Sequence, residues 1–162
     1  MFDYRKALEA SQIAVEKLTY LVQEQEDAAQ LTNLVIARRI MLEAKVELSD
    51  FWEAQQALDE QRQLVERLAE QLPQSNLPTM ERLWVETLGL LVQRGLNITP
   101  IAASQLDQVM EHWKNAASDS LAPPNQVAPT YIEASRLLVQ LLRDAGRLQD
   151  VAEVESKLSS IR

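Results

Sequence analysis

The sequence of 162 residues contains no cysteine, one histidine, three glycines and six prolines. The absence of cysteine excludes disulfide bonds and a thiolate nucleophile, and a single histidine, His112, excludes a multi-histidine metal site. Few glycines and prolines, together with 46% hydrophobic residues, favour helices over strands. We therefore expect an all-α protein that holds no metal and no cofactor.

Positive charge is also scarce, because the formal net charge is -8. A protein of this charge repels phosphate backbones and anionic membrane surfaces on average. No apolar run approaches the roughly 18 residues that a membrane span needs, and nothing near Met1 resembles a signal peptide. We expect a cytoplasmic protein that binds neither nucleic acid nor a membrane.

Motifs of the common enzyme classes are missing as well. The chain has no glycine-rich phosphate loop, no HExxH pair and no serine elbow. His112 stands beside Trp113 without a candidate nucleophile, so a packing or surface role fits it better than a role as general base. The sequence therefore predicts a protein that is not an enzyme and has no catalytic residue.

Apolar residues recur at spacings of three and four along the chain, which is the period of an α-helix. The second segment is apolar over an arc wide enough to be buried on two sides. Residues 118–129 have no such period and contain three prolines, which predicts a loop. We predict seven helices, over about 3–25, 26–48, 50–72, 79–95, 100–116, 130–145 and 147–161.

Capping and turn residues mark several of these boundaries. We expect capping boxes at Asp50 with Glu53 and at Thr130 with Glu133. We also expect one helix to end at Gly95 in the left-handed conformation, the next to start at Thr99 and Pro100, and a later helix to end at Gly146.

Short turns pair the helices into hairpins, and small or medium apolar residues recur near the start of each second helix. Ala7, Ala54, Ala102 and Val151 are separated by 47, 48 and 49 residues. Stacked hairpins with such a period bury faces that no single hairpin buries alone. The spacing thus predicts an α-solenoid of stacked helix hairpins.

Three stretches resemble the second helices of tetratricopeptide (TPR) repeats. DYRKALEASQIAVE carries Asp3, Tyr4, Ala7, Leu8 and Ala14; SDFWEAQQAL carries Asp50, Phe51 and Ala54; LLRDAGRLQDVAEV carries Gly146, Leu148 and Val151. The chain departs from the pattern at Ser11, where an aromatic is common, and at Gln61 and Leu158, which replace the second alanine. Its units are also longer than the family's usual 34 residues or so.

The TPR resemblance implies a single repeat domain over residues 1–162 that is part of a larger protein. Residues 3–25 would be a lone second helix, followed by hairpins at 26–72, 78–116 and 130–161. A bundle in which helix 1 simply packs on helix 2 is the alternative. If a first helix is missing, Leu8, Ile13 and Val15 form an adhesive edge, which favours a homodimer through the N-terminal helix.

Aromatic and polar residues provide the candidate binding sites. We expect Trp52, Trp84 and Trp113 to pack between hairpins, with a ligand pocket around Trp84 and Trp113 as the alternative. Polar stripes run along the first helices, as at Arg82, Glu86 and Gln93 in helix 4 and at Glu133, Arg136, Gln140 and Arg143 in helix 6.

In TPR arrays the first helices line a concave groove that binds peptides or partner helices. The resemblance therefore implies that the polar stripes line such a groove, and arginine suits the capture of carboxylates. Ordinary solvated helix faces are the alternative. The predicted partner-binding residues are Arg38, Arg39, Arg82, Arg136, Gln140 and Arg143.

The predicted function is that of a non-catalytic scaffold that binds a protein or peptide, in particular an acidic one. The long units and glutamine-rich composition are similar to repeat segments of bacterial signalling proteins, which is an analogy of architecture. Two alternatives stay open: a self-associating structural unit and a helical domain that binds a small ligand.

Overall fold

The computed structural model describes residues 2–119 and 129–161. Every regular element within these ranges is a helix, so the all-α prediction is confirmed, as is the number of helices. Most of the loop predicted over 118–129 lies outside the described residues. The helices are α1 (Tyr4–Glu24), α2 (Ala28–Glu47), α3 (Phe51–Gln71), α4 (Leu77–Leu96), α5 (Ala103–Asp119), α6 (Pro129–Asp144) and α7 (Leu148–Ser160).

Aspartate side chains begin the first two helices. Asp3 Oδ1 accepts a hydrogen bond from the backbone N–H of Lys6 at 3.2 Å, and Asp27 Oδ1 accepts one from Gln30 at 2.8 Å. These bonds satisfy N–H groups that have no partner inside the helix. The second helix therefore begins after Asp27 and not at Glu26.

The two predicted capping boxes are wrong. Asp50 is the N-cap residue of α3, but its side chain makes no capping hydrogen bond, and Glu53 pairs with Lys45 instead. Thr130 lies inside the first turn of α6, where its hydroxyl donates to Glu81 Oε1 at 3.1 Å. In both cases one member of the predicted box bonds to a residue on another helix instead.

The turn between α4 and α5 also differs from the prediction. Helix α4 continues through Gly95, and Asn97 takes the left-handed conformation instead, at φ 52°. Helix α5 starts at Ala103, three residues after Pro100, and Gln105 Oε1 accepts from the N–H of Ala102 at 2.9 Å. This glutamine has the role of the third-position residue in a capping box.

The chain divides into two compact units, Met1–Pro78 and Thr79–Arg162. In the first, α2 packs against both α1 and α3, which confirms that its wide apolar arc is buried on two sides. The contact between α1 and α2 occurs in both the lone-helix and the bundle interpretation, so that choice stays a prediction. The core of this unit includes Leu31, Leu34, Val35, Leu42, Ala54, Leu58, Val65 and Leu68.

In the second unit, α6 packs against α5 and α7. Side-chain bonds also join α4 to α5 through Gln93 and Gln105, and α4 to α6 through Glu81 and Thr130. The core of this unit includes Trp84, Leu88, Leu91, Val92, Met110, Trp113, Tyr131, Leu138, Leu142 and Val154. A single domain over 1–162 and a solenoid arrangement of these helices stay predictions.

Candidate functional site

The six predicted partner-binding residues divide between the two units. Arg38 and Arg39 are on α2, in Met1–Pro78, while the other four are on α4 and α6, in Thr79–Arg162. The predicted residues therefore belong to two candidate surfaces, one in each unit.

Arg38 lies between α2 and α3 and is only 7% exposed. Its Nε donates to Gln61 Oε1 at 3.3 Å, and its Nη2 donates to the carbonyl of Ala57 at 3.3 Å and pairs with Glu60 at 2.9 Å. A buried guanidinium needs such partners to offset its desolvation. Arg38 thus joins two helices of one unit and does not line an exposed groove, which corrects its predicted placement.

Gln61 completes this buried network, and sequence reasoning did not assign it a role. It is 0% exposed, and its Nε2 donates to the carbonyl of Val35 at 3.1 Å. The signal was present in the sequence, because Gln61 replaces the alanine that TPR repeats carry at this position. The residue that departs from the pattern, Gln61, is therefore the one that accepts a hydrogen bond from Arg38.

The two remaining cations on α2 are also engaged within the unit. Arg39, 15% exposed at its side chain, lies 3.9 Å from Glu43 one turn later. Lys45, which is buried, pairs with Glu53 at the start of α3. The hydrogen bond and the charge of Lys45 lower the pKa of Glu53 below its ordinary value of 4.5. The Lys45–Glu53 pair thus joins α2 to α3, whereas the Arg39–Glu43 contact lies within α2.

The predicted stripe on α4 faces its neighbour α5. Glu86 Oε2 lies 2.5 Å from His112 Nδ1, and the side chains of Gln93 and Gln105 exchange two hydrogen bonds of 3.3 and 3.0 Å. Arg82, on the same helix, is half-buried. Glu86 and Gln93 therefore join α4 to α5, and their position in a groove stays a prediction.

The pair of His112 and Glu86 has the geometry of a carboxylate that orients an imidazole, as in hydrolase triads. Such a triad needs a nucleophile at the other ring nitrogen. Among residues 2–119 and 129–161, no hydroxyl group is hydrogen-bonded to His112. The contact between Glu86 and His112 therefore links α4 to α5.

The predicted residues on α6 lie on one exposed face, which we call the α6 face: Glu133, Arg136, Gln140 and Arg143. Their spacings of three, four and three keep them on the same side of the helix. The side chain of Arg136 is 66% exposed and lies 3.7 Å from Glu133. Arg143 is 58% exposed and pairs with Glu155 on α7.

The opposite side of α6 is a buried aromatic cluster that fixes the orientation of the helix. Trp113 Nε1 donates to Ser135 Oγ at 2.9 Å, and Ser135 in turn donates to the carbonyl of Tyr131 at 2.7 Å. The rings of Trp113 and Tyr131 are nearly parallel, with centroids 6.2 Å apart. These contacts leave the α6 face as the side directed to solvent.

Tyr131 is 0% exposed, and its hydroxyl has no hydrogen-bond partner among the described residues. Burial raises the pKa of Tyr131 to about 12, while the nearby Ser135 side chain acts in the opposite direction. The phenol is therefore neutral over the physiological pH range.

Ion pairs surround the C-terminal end of α6. Arg94 on α4 pairs with Asp144, and Arg147 donates to Asp107 and Asp150 at 2.6 Å each. Burial acts to lower the pKa of Arg147, but the two carboxylates together raise it above its usual value. Beside Arg94 and Asp144 lies a cleft of about 240 Å³.

The three tryptophans differ in their environments. Trp84 and Trp113 are 0% and 3% exposed, which confirms their predicted packing role. Trp52 is 63% exposed at the start of α3, so the same prediction is wrong for this residue. One edge of Trp113 also borders an open cleft of about 590 Å³ that is crossed by the Lys114–Glu153 ion pair.

Among the described residues, no group of three or more His, Asp or Glu side chains lies close enough to hold a metal ion. None of the helices in that part of the chain is long and apolar enough to cross a bilayer. Comparisons with protein-family models, with curated proteins and with solved structures gave no match for this chain. The TPR resemblance therefore stays a hypothesis that rests on the residues quoted above.

Proposed function

We propose that this protein is a non-catalytic interaction module that binds an acidic protein or peptide segment through the α6 face. The observation that carries the proposal is the exposure of Arg136, Gln140 and Arg143 on one side of a helix whose other side is firmly buried. Two guanidinium groups about two turns apart match carboxylates that are similarly spaced on an extended or helical partner.

The arginines on this face are held by weak intramolecular contacts. The pair of Arg136 with Glu133 is long, at 3.7 Å, and the side chains of Arg143 and Glu155 are 58% and 46% exposed. Exposed ion pairs of this kind contribute about 0 to 1 kcal/mol. A partner carboxylate can therefore replace Glu133 or Glu155 at little cost in free energy.

The surface beneath these side chains is rigid, which favours binding. The bond from Trp113 to Ser135 and the buried residues of α6 prevent the helix from rotating. A rigid scaffold loses less conformational entropy when a partner binds. The α6 face is in this respect comparable with the first-helix surface of a TPR hairpin, which supports the proposal by analogy.

Charge distribution between the units agrees with this choice of surface. Of the 24 acidic residues, 14 lie in Met1–Pro78, where eight of the 16 basic residues lie. The unit Thr79–Arg162 is thus nearly balanced, so it repels an acidic partner less than the first unit does. A cytoplasmic location and a role in signalling stay proposals that rest on the sequence.

Fluorescence anisotropy with three labelled 12-residue peptides tests the proposal. One peptide carries four glutamates, and the other two carry glutamine or lysine at the same positions. We expect the glutamate peptide to bind best and its affinity to fall with salt. Replacing both Arg136 and Arg143 with glutamate is expected to weaken binding by about tenfold or more.

The matched control is Arg5→Glu with Arg62→Glu, since both arginines are exposed and lie in the other unit. It makes the same change in net charge away from the α6 face. Equal losses in the two double variants would mean that only net charge matters. That result, or no binding of the glutamate peptide to the unmodified protein, would rule out the α6 face as the binding surface.

A further inference from the structure

Helix α1 packs on α2 with one side and presents the other side to solvent. The packed side contains Ser11 and Val22, both buried, together with Leu8 and Val15, which are half-buried. Of the three residues expected to form an adhesive edge, Ile13 is therefore the one that is exposed, at 55%. Tyr20, two turns later on the same side, is 62% exposed.

Charged residues flank these two side chains in an ordered way. The exposed side of α1 carries a stripe, the α1 stripe, made of Lys6, Glu9, Ile13, Lys17 and Tyr20. Spacings of three and four place all five on one side of the helix. Within residues 2–119 and 129–161, neither Glu9 nor Lys17 has an ion-pair partner, and Lys6 has only an exposed contact of 3.6 Å with Asp3.

The stripe is complementary to an antiparallel copy of itself. A two-fold axis through Ile13 places Glu9 of each chain opposite Lys17 of the other and Lys6 opposite Tyr20. The Glu9–Lys17 ion pair therefore occurs twice, and each Lys6 ammonium meets an aromatic ring, which is a favourable contact. A parallel pairing in the same register would instead place Glu9 against Glu9 and Lys17 against Lys17.

We infer that a second copy of this chain binds the α1 stripe in antiparallel orientation, with the two Ile13 side chains in contact on the two-fold axis. The charges identify the binding partner as a second copy of the chain. A two-fold rotation places each charged residue of the stripe opposite a residue that attracts it. The apolar part is small, so the dimer is of the weak and reversible class. This surface is separate from the α6 face and does not depend on it.

Sedimentation equilibrium of the full chain over a range of protein concentrations tests the inference. We expect a reversible monomer–dimer equilibrium that Ile13→Asp weakens by about tenfold or more, since the substitution places two carboxylates on the axis. Ile98→Asp is the matched control, because Ile98 is 65% exposed in the turn after α4. It is expected to leave the equilibrium unchanged.

Charge exchange tests the antiparallel orientation. Glu9→Lys and Lys17→Glu alone each create two like-charge contacts and are expected to weaken the dimer by roughly three- to tenfold. The double variant restores opposite charges and is expected to dimerise like the unmodified chain. A mixture of the two single variants is expected to form heterodimers in preference to either homodimer.

A crosslink provides an independent readout, since the natural sequence has no cysteine. Ile13→Cys is expected to form a disulfide-linked dimer on mild oxidation. Gln23→Cys is not, because the two copies of residue 23 would lie about 30 Å apart at 1.5 Å per residue. A chain that is monomeric at every concentration, or a dimer that survives Ile13→Asp, would overturn the inference.

Discussion

Ser49 and Gly146 have the same left-handed backbone conformation, with φ values of 62° and 71°, at the ends of α2 and α6. At the first, Asp50 N–H donates to the carbonyl of Lys45 at 2.8 Å and Ser49 N–H to Val46 at 2.9 Å. At the second, equivalent bonds run from Arg147 and Gly146. Both turns are Schellman motifs, but only one has the glycine that this motif favours.

Exchanging the residue type at these two positions is expected to change stability in opposite directions. A side chain costs about 1 kcal/mol or more in the left-handed region, whereas glycine occupies it freely. Ser49→Gly should therefore raise the free energy of unfolding by roughly 1 kcal/mol, and Gly146→Ala should lower it by a similar amount. Urea denaturation monitored by circular dichroism measures both changes.

For Gly146→Ala, the expected loss of stability has a single physical cause. A Cβ atom placed on Gly146 would meet no atom of the described residues within 4 Å, so the expected loss comes from backbone conformation and not from a steric clash. No change in stability for Gly146→Ala would show that the left-handed conformation is not required in solution. Gly95→Ala, inside α4, is the control and is expected to be stabilising by up to about 1 kcal/mol.

Gln61→Ala is expected to destabilise the first unit, although alanine is the residue that the TPR pattern carries there. The substitution leaves Arg38 Nε and the carbonyl of Val35 without their buried partner. Loss of such partners costs about 1 to 3 kcal/mol. Gln63→Ala, on the exposed side of the same helix, should change the free energy of unfolding by less than about 0.5 kcal/mol.

Acidification is expected to weaken the α2–α3 hairpin through Glu53. Because Lys45 lowers the pKa of Glu53 below 4.5 in the folded state, the pair contributes stability above that pH. The contribution is lost as the pH falls through the folded-state pKa. Glu53→Gln should therefore reduce the slope of stability against pH below about 4.5, measured by urea denaturation at a series of pH values.

A matched control for this experiment is Glu47→Gln, at the exposed end of α2. It removes one carboxylate from the same hairpin without removing the partner of Lys45. The prediction fails if the two variants show the same slope. In that case the acid sensitivity belongs to the overall charge of the unit.

Tyr131→Phe is expected to change stability little at pH 7. At high pH it is expected to reduce the loss of stability that the unmodified protein shows. The hydroxyl has no hydrogen-bond partner among the described residues, so its removal at pH 7 should change the free energy of unfolding by less than about 1 kcal/mol. The pKa of Tyr131 is raised from 10.0 to about 12, so the unfolded state loses the proton first. Stability is thus lost as the pH rises from about 10 to about 12.

Thermal denaturation between pH 9 and 11 compares Tyr131→Phe with Tyr4→Phe, which lies in the other unit. Only the first is expected to reduce the alkaline loss of stability. A decline of equal steepness in the two variants would place the titrating group elsewhere.

Local periodicity explains why the helices were predictable and why some of their ends were not. A run such as the one in α2 repeats its apolar side chains every three to four residues, and this pattern needs no knowledge of the partner helix. The capping boxes predicted at Asp50 and Thr130 do not form, because Glu53 and Thr130 bond to residues on other helices, Lys45 and Glu81. Local capping rules do not include such partners.

The candidate binding residues likewise include some that local spacing predicts and some that it does not. Arginine spacing predicted the α6 face correctly as a stripe on one side of a helix, because Arg136 and Arg143 lie seven residues apart. The identical reasoning placed Arg38 in a groove, although Arg38 is buried against Gln61. A stripe on a single helix does not reveal whether another helix covers it.

The sequence by itself determined the helical class, the number of helices and the side of each helix that is apolar, since these follow from composition and from the 3.6-residue period. Only the tertiary structure decided which polar side chains are buried and which are open to a partner. Exposure depends on the neighbouring helix, and the neighbours of Arg38, Glu86 and Ile13 are set by packing between segments that are distant in the chain.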